Sequence, residues 1–152
     1  YGDGRWPGLV AEKLLDNTFI PACSPLLALH DASELPRHPL IHFRSSSAGS
    51  GPVDWAGWQK LARVPGLDVS AGLVFSDETH AVSAAVGAQG VALMSRELIE
   101  DELAAGRLVQ PFGPEIKGKA FYLVYPESRK HDPIIQAVRD WVMAVPGGVC
   151  TL

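Results

Sequence analysis

Apolar residues along the chain fall into short runs of two different periods. From Leu9 to Cys23 they alternate around Leu9-Val10-Ala11 and again around Phe19-Ile20-Pro21-Ala22, with a break near Asp16-Asn17. That pattern predicts one or two strands. Ser24-Pro25 predicts a helix start, because Ser caps well and Pro fits the first helical position; the helix is expected to reach about Leu29. Asp31 to Pro39 is polar with two prolines and predicts a turn or irregular helix before a short strand at Leu40 to Phe43. Residues 45–53 are small and polar, the signature of a surface loop. Asp54 is placed to cap a helix whose Trp55, Trp58 and Leu61/Ala62 share one face. At that spacing the tryptophans read as core, although ligand platforms are the alternative.

The second half alternates more regularly. Gly72 to Phe75 predicts a buried strand, and Ser76-Asp77-Glu78-Thr79 carries the cap-forming and acidic residues of a helix start. Ala81 to Ala88 is small and apolar on nearly all sides, which predicts a closely packed helix. Gly90 to Met94 predicts the next strand, and Ser95 a helix with Leu98, Ile99 and Leu103 inward, stopped by Gly106. Arg107-Leu108-Val109 is extended, and Ala120 to Tyr125 is a strand ended by Pro126. Asp132-Pro133 opens a last helix with the stripe Ile134, Ile135, Val138, Trp141, Val142 and Val145, closed by Pro146-Gly147-Gly148. Strands alternating with helices predict an α/β fold with parallel strands.

Composition narrows the function. The chain has 152 residues, enough for one domain, and a net charge of −4 from 13 basic and 17 acidic side chains. That balance lacks the basic footprint of nucleic-acid binding. Cys23 and Cys150 lie far apart with no CxxC pair, which argues against a zinc site or disulfide scaffold and suits a reducing cytoplasm. No apolar run is long enough for a membrane helix and no signal peptide is expected. Since the first residue is Tyr1, and Tyr1-Gly2-Asp3-Gly4 reads as the turn after a strand, the chain is expected to lack an N-terminal part. Five scattered histidines and the absence of GxSxG, GxGxxG and GxxxxGKS patterns leave catalysis without a constellation. Cys23, inside an apolar strand, reads as a small core residue. Ligand-holding groups, by contrast, collect where strand ends meet helix starts: the Tyr1–Gly4 turn, Ser24, His42-Phe43-Arg44 and Ser76–Thr79. Ser24, Ser76 and Asp77 can equally be plain helix caps.

Several segments, in order, carry a resemblance. Tyr1-Gly2-Asp3-Gly4-Arg5-Trp6-Pro7-Gly8-Leu9 resembles a turn of LysR-type transcriptional regulators, in the branch with the glycine-cleavage activator and the regulators of β-lactamase expression. Leu14-Leu15 with Phe19 to Pro25, His38 to His42, Trp55 to Trp58, Gly87 to Leu93, Gly106 to Phe112 and Phe121 to Pro126 continue it in register. The resemblance implies an α/β, two-lobed type 2 periplasmic-binding-protein-like fold, with two crossing strands and a small-molecule effector in the interlobe cleft. It assigns residues 1–21 and 121–152 to an incomplete first lobe and residues 22–120 to the second. The winged helix-turn-helix, through which alone DNA would be contacted, is expected outside this chain. The implied role is non-enzymatic and cofactor-free: an effector-sensing and oligomerising domain of a cytoplasmic homo-oligomer without membrane contact. The alternative is a solute-binding receptor of a transport system with the same fold. Positions matching the family's cleft are Asp3, the Ser76, Asp77, Glu78 and Thr79 turn, and Phe121 with Tyr122; His42 joins them from the strand-end reading. The acids Asp3, Asp77 and Glu78 suit an amine-bearing effector such as an amino acid or peptide.

Overall fold

The two alternating stretches near the start become strands β1 (Leu9–Leu15) and β2 (Thr18–Ala22), split at Asp16-Asn17. The computed structural model describes residues 1–44 and 53–144, so the expected loop at 45–53 lies almost wholly outside the described residues, as do Val145, Pro146-Gly147-Gly148 and Cys150. The remaining elements are β3 (Leu40–Phe43), α1 (Trp55–Ala62), β4 (Leu73–Phe75), α2 (Glu78–Val86), β5 (Val91–Ser95), α3 (Glu100–Ala104), β6 (Ile116–Lys117), β7 (Phe121–Pro126) and α4 (Pro133–Ala144). They group into two compact units, Thr18–Lys117 and Tyr1–Asn17 together with the residues from Gly118 onward. The family resemblance implies a division at 21 and 121 instead.

In the unit spanning Thr18–Lys117, a five-stranded sheet runs in the order β4-β3-β5-β2-β6. β3 pairs in parallel with β4 and β5, while β2 pairs antiparallel with β5 and β6. The sheet is therefore mixed, and the parallel expectation holds only for its β4-β3-β5 part. Successive strand residues point to opposite faces, and this sorts the core. Ile41 and Ala92 join Ile20, Ala22 and the α2 alanines Ala81, Ala84 and Ala85 on one side. Leu40 and Val91 join Trp55, Trp58 and Cys23 on the other. The sheet is thus covered by α2 on one face and α1 on the other, with small alanines allowing α2 to approach closely.

Two glycines set the spacing at the entry to β3. A Cβ on Gly72, at φ +129°, would lie 2.1 Å from the Leu40 carbonyl oxygen, and one on Gly90 would lie 2.3 Å from that of Pro39. Neighbouring backbone approaches from both sides, which only glycine permits.

Several expectations change in detail. The helix expected after Ser24-Pro25 is a single 3₁₀ turn, Pro25–Leu27, with Ser24 as its cap. It stops early because Ala28 turns left-handed. The polar segment after Asp31 forms a 3₁₀ helix, Ala32–Arg37, closed by a reciprocal Asp31–Glu34 capping box. In α1, Leu61 is exposed while Trp55 and Trp58 are buried. β4 is not a buried strand: it lies at the sheet edge, and Val74 is 52 % exposed. Ser95 ends β5 instead of opening a helix, with turns intervening before α3.

The other unit is a β1–β7 antiparallel ribbon, Leu9 opposite Pro126 and Val10 opposite Tyr125, accompanied by α4. Glu12 on β1 accepts hydrogen bonds from the Tyr125 hydroxyl at 2.6 Å and from Arg139 Nε of α4 at 2.7 Å. No α4 residue among those described is buried; Ile134, Val138 and Trp141 all face outward.

Candidate functional site

The strand ends and helix starts of the Thr18–Lys117 unit enclose a cavity of about 300 Å³. Its polar lining comes from His42 and Arg44 at the end of β3, Asp54 at the start of α1 and Glu78 at the start of α2. Phe19, Val69 and Leu93 supply apolar wall. The C-terminal end of β3 and the residue after it bring His42 and Arg44 to the same space.

Each polar group is held by its own local chemistry. The His42 ring lies 2.9 Å from the Ala71 carbonyl oxygen through Nε2. A carbonyl only accepts, so Nε2 is the donor in this contact. Asp54 caps α1 by accepting the Gly57 N–H at 2.7 Å. Trp55, whose indole N–H donates to the Ile41 carbonyl at 3.1 Å, fixes the first turn of α1 against β3. An edge-to-face contact with Trp58, ring centres 5.4 Å apart, locks the pair.

At α2 the cap is Asp77. Its Oδ1 accepts the Thr79 N–H at 2.8 Å and the His80 N–H at 3.3 Å. Those two backbone donors hold the Asp77 carboxyl below its ordinary range. Ser76 stands one residue earlier and exposed, outside the helix it was expected to begin. Glu78 follows the cap and is half-buried against the cavity. Burial, and secondarily the neighbouring Asp77 carboxylate, push its pKa up.

The structure therefore brings His42 and Glu78 to one cavity and keeps Ser76, Asp77 and Thr79 on the same turn as Glu78. Asp3, Phe121 and Tyr122 belong to the other unit. There Asp3 is exposed and 3.4 Å from Lys119 Nζ. Phe121 packs on Tyr1 with ring centres 5.1 Å apart, and Tyr122 meets Trp6 edge-on at 5.5 Å. Nothing local in the sequence marks Phe19, Val69 or Leu93 as cavity lining, because their place there depends on long-range pairing and packing. Arg44 belongs to the strand-end signal, and the spacing of Trp55 points chiefly to core. Among the described residues no group of three or more His, Cys, Asp and Glu side chains could hold a metal ion. No helix there is long and apolar enough to cross a membrane.

Comparison with known proteins gives the family. The LysR substrate binding domain family matches residues 1–146. The glycine cleavage system transcriptional activator of Escherichia coli K12 is 37% identical over 150 residues, covering 95% of this chain and 47% of that protein. The transcriptional activator AmpR of Rhodobacter capsulatus is 31% identical over 144 residues, covering 93% and 47%. The chain thus spans about half the length of the curated relatives it matches. Among solved structures, the effector domain of AmpR from Pseudomonas aeruginosa superposes with a TM-score of 0.72 at 27% identity, over 93% of this chain and 68% of that one. The Citrobacter freundii effector binding domain carrying three substitutions gives 0.75 at 25% identity, over 94% and 71%. The fold is the two-lobed α/β type of these effector domains, and the chain belongs to the LysR substrate-binding domain family.

Proposed function

We propose that this chain senses a small-molecule effector for a transcription regulator, and that the cavity beside His42 and Glu78 is where the effector is held. The observation that carries this reading is the convergence of His42, Arg44, Asp54 and Glu78 on one roughly 300 Å³ space at strand ends and helix starts. Small-molecule sites in open α/β sheets favour that location. Asp3, Phe121 and Tyr122 remain effector-contacting candidates on the strength of the family resemblance. In this reading residues 22–120 act as the second lobe, and residues 1–21 with 121–152 as part of the first. The effector acts by binding one arrangement of the parent protein better than another, which shifts the population between them. The parent works in the cytoplasm as a homo-oligomer and reads DNA through a winged helix-turn-helix outside this chain. The regulator relatives support this role over that of a transport receptor or an enzyme.

The test is a melting screen of the 152-residue chain against a panel of cellular metabolites, followed by calorimetric titration of any hit. His42→Ala and Glu78→Gln should each weaken the hit while leaving the unliganded chain folded. A hit whose affinity neither change alters would move the site away from this cavity.

A further inference from the structure

The charges around the cavity select among small molecules. Two of its polar groups are already engaged: Asp54 Oδ1 by the Gly57 N–H, and His42 Nε2 by the Ala71 carbonyl. Glu78 is different. Among the described residues no hydrogen bond or ion pair meets its carboxylate, although it is half-buried and stands next to a second carboxylate, Asp77. A carboxylate so placed gains from any cation that a ligand brings to it. Arg44 lies on the same cavity and is always charged. The first turn of α1, at Trp55 and Ala56, lines the same cavity and presents the positive end of a helix. One cavity thus carries the Glu78 carboxylate from α2 and the Arg44 guanidinium just past β3, with the capping Asp54 at the start of α1 and Phe19, Val69 and Leu93 as apolar lining. Its size is at the small end for ligand pockets, which run from about 300 to 1,000 Å³.

We propose that the cavity recognises a free α-amino acid, with Glu78 taking the ammonium, Arg44 and the start of α1 taking the carboxylate, and the apolar wall taking the side chain. This rests on reading the cavity as the effector site.

The experiment follows the His42 and Trp55 signals of the 152-residue chain by nuclear magnetic resonance. The proteinogenic L-amino acids are titrated one at a time, and then the methyl ester and the des-amino acid made from the best binder. At least one amino acid should shift both signals. Its ester, lacking the carboxylate, and its des-amino analogue, lacking the ammonium, should each bind at least about tenfold more weakly. Glu78→Gln should weaken the amino acid and the ester by about that factor and leave the des-amino acid unchanged. Equal binding of the amino acid and its des-amino analogue, or unaltered affinities in Glu78→Gln, would overturn the assignment. So would the absence of any amino acid that shifts His42 and Trp55. A metabolite from the melting screen that still shifts both signals would then preserve the cavity as the effector site, and none doing so would remove that too. If Glu78→Gln does not fold, the comparison of the three ligands on the unaltered chain decides the matter.

Discussion

Glu12 ties the β1–β7 ribbon to α4. It takes both Nε and a terminal nitrogen of Arg139 and also the Tyr125 hydroxyl. Arg139 first, then Tyr125, hold its pKa below the ordinary value. A depressed folded pKa means that this stabilisation is present above the unfolded value and is lost as pH falls through the folded one. Arg139→Met should therefore lower stability in denaturant unfolding at neutral pH, and the difference from the unaltered chain should shrink under acid. Glu78 has the opposite sign. Its folded pKa is raised, so stability is lost as pH rises from the unfolded value towards the folded one. Glu78→Gln should raise Tm at neutral pH and have little effect at a pH where Glu78 is protonated. A lower Tm at neutral pH would show that the charged form makes a favourable contact. Cys23 is wholly buried, and burial pushes its thiol up to about 11. It should resist iodoacetamide in the native chain and react promptly in denaturant, as read by peptide mass mapping.

At the scale of elements, local signals and long-range ones fared differently. The break at Asp16-Asn17, the Asp54 cap and the paired tryptophans of α1 are written in spacing and cap chemistry, and the structure places them accordingly. Which strand lies at an edge is not a local property. Leu73-Val74-Phe75 reads as buried because it is apolar, yet among the described residues β4 has only β3 beside it. Ser76 and Asp77 are both good caps, and only the backbone geometry of the turn gives the role to Asp77. His42 and Glu78 were legible as strand-end and helix-start residues, whereas Phe19 joins their cavity only because β2 pairs with β5. The contrast is measurable. Val74→Thr should stay within about 0.5 kcal/mol of the unaltered chain. Trp58→Ala should cost about 3–5 kcal/mol, since that ring is fully buried and its N–H donates to the Pro114 carbonyl at 2.8 Å.

At the scale of the whole molecule, the two units are unequally built. The larger encloses two clusters of buried residues on either side of a five-stranded sheet. The smaller has a two-stranded sheet, and Ile134, Val138 and Trp141 of its last helix are exposed. A two-stranded ribbon is marginal by itself, and an exposed apolar stripe favours association. Amides of residues 121–144 should exchange with solvent faster than those of β2, β3 and β5, and the chain should self-associate as its concentration rises. Uniform protection in a monomer would contradict this. With a net charge of −4, the isolated chain should also give no sequence-selective, salt-resistant complex in a gel shift.

The close approach of Gly72 and Gly90 to the entry of β3 also limits what inheritance can change. Each lies against a backbone oxygen, Leu40 on one side and Pro39 on the other, where no side-chain rearrangement can make room. In a saturation library sorted for folded protein, these two codons should return almost nothing but glycine, even alanine being purged. Gly8 and Gly66, with nothing within 4 Å of an added Cβ, should accept some replacements that tolerate their left-handed backbone, asparagine first. The cavity is thus anchored at a point where drift is blocked, because the strand that leads to His42 and Arg44 starts from a fixed place.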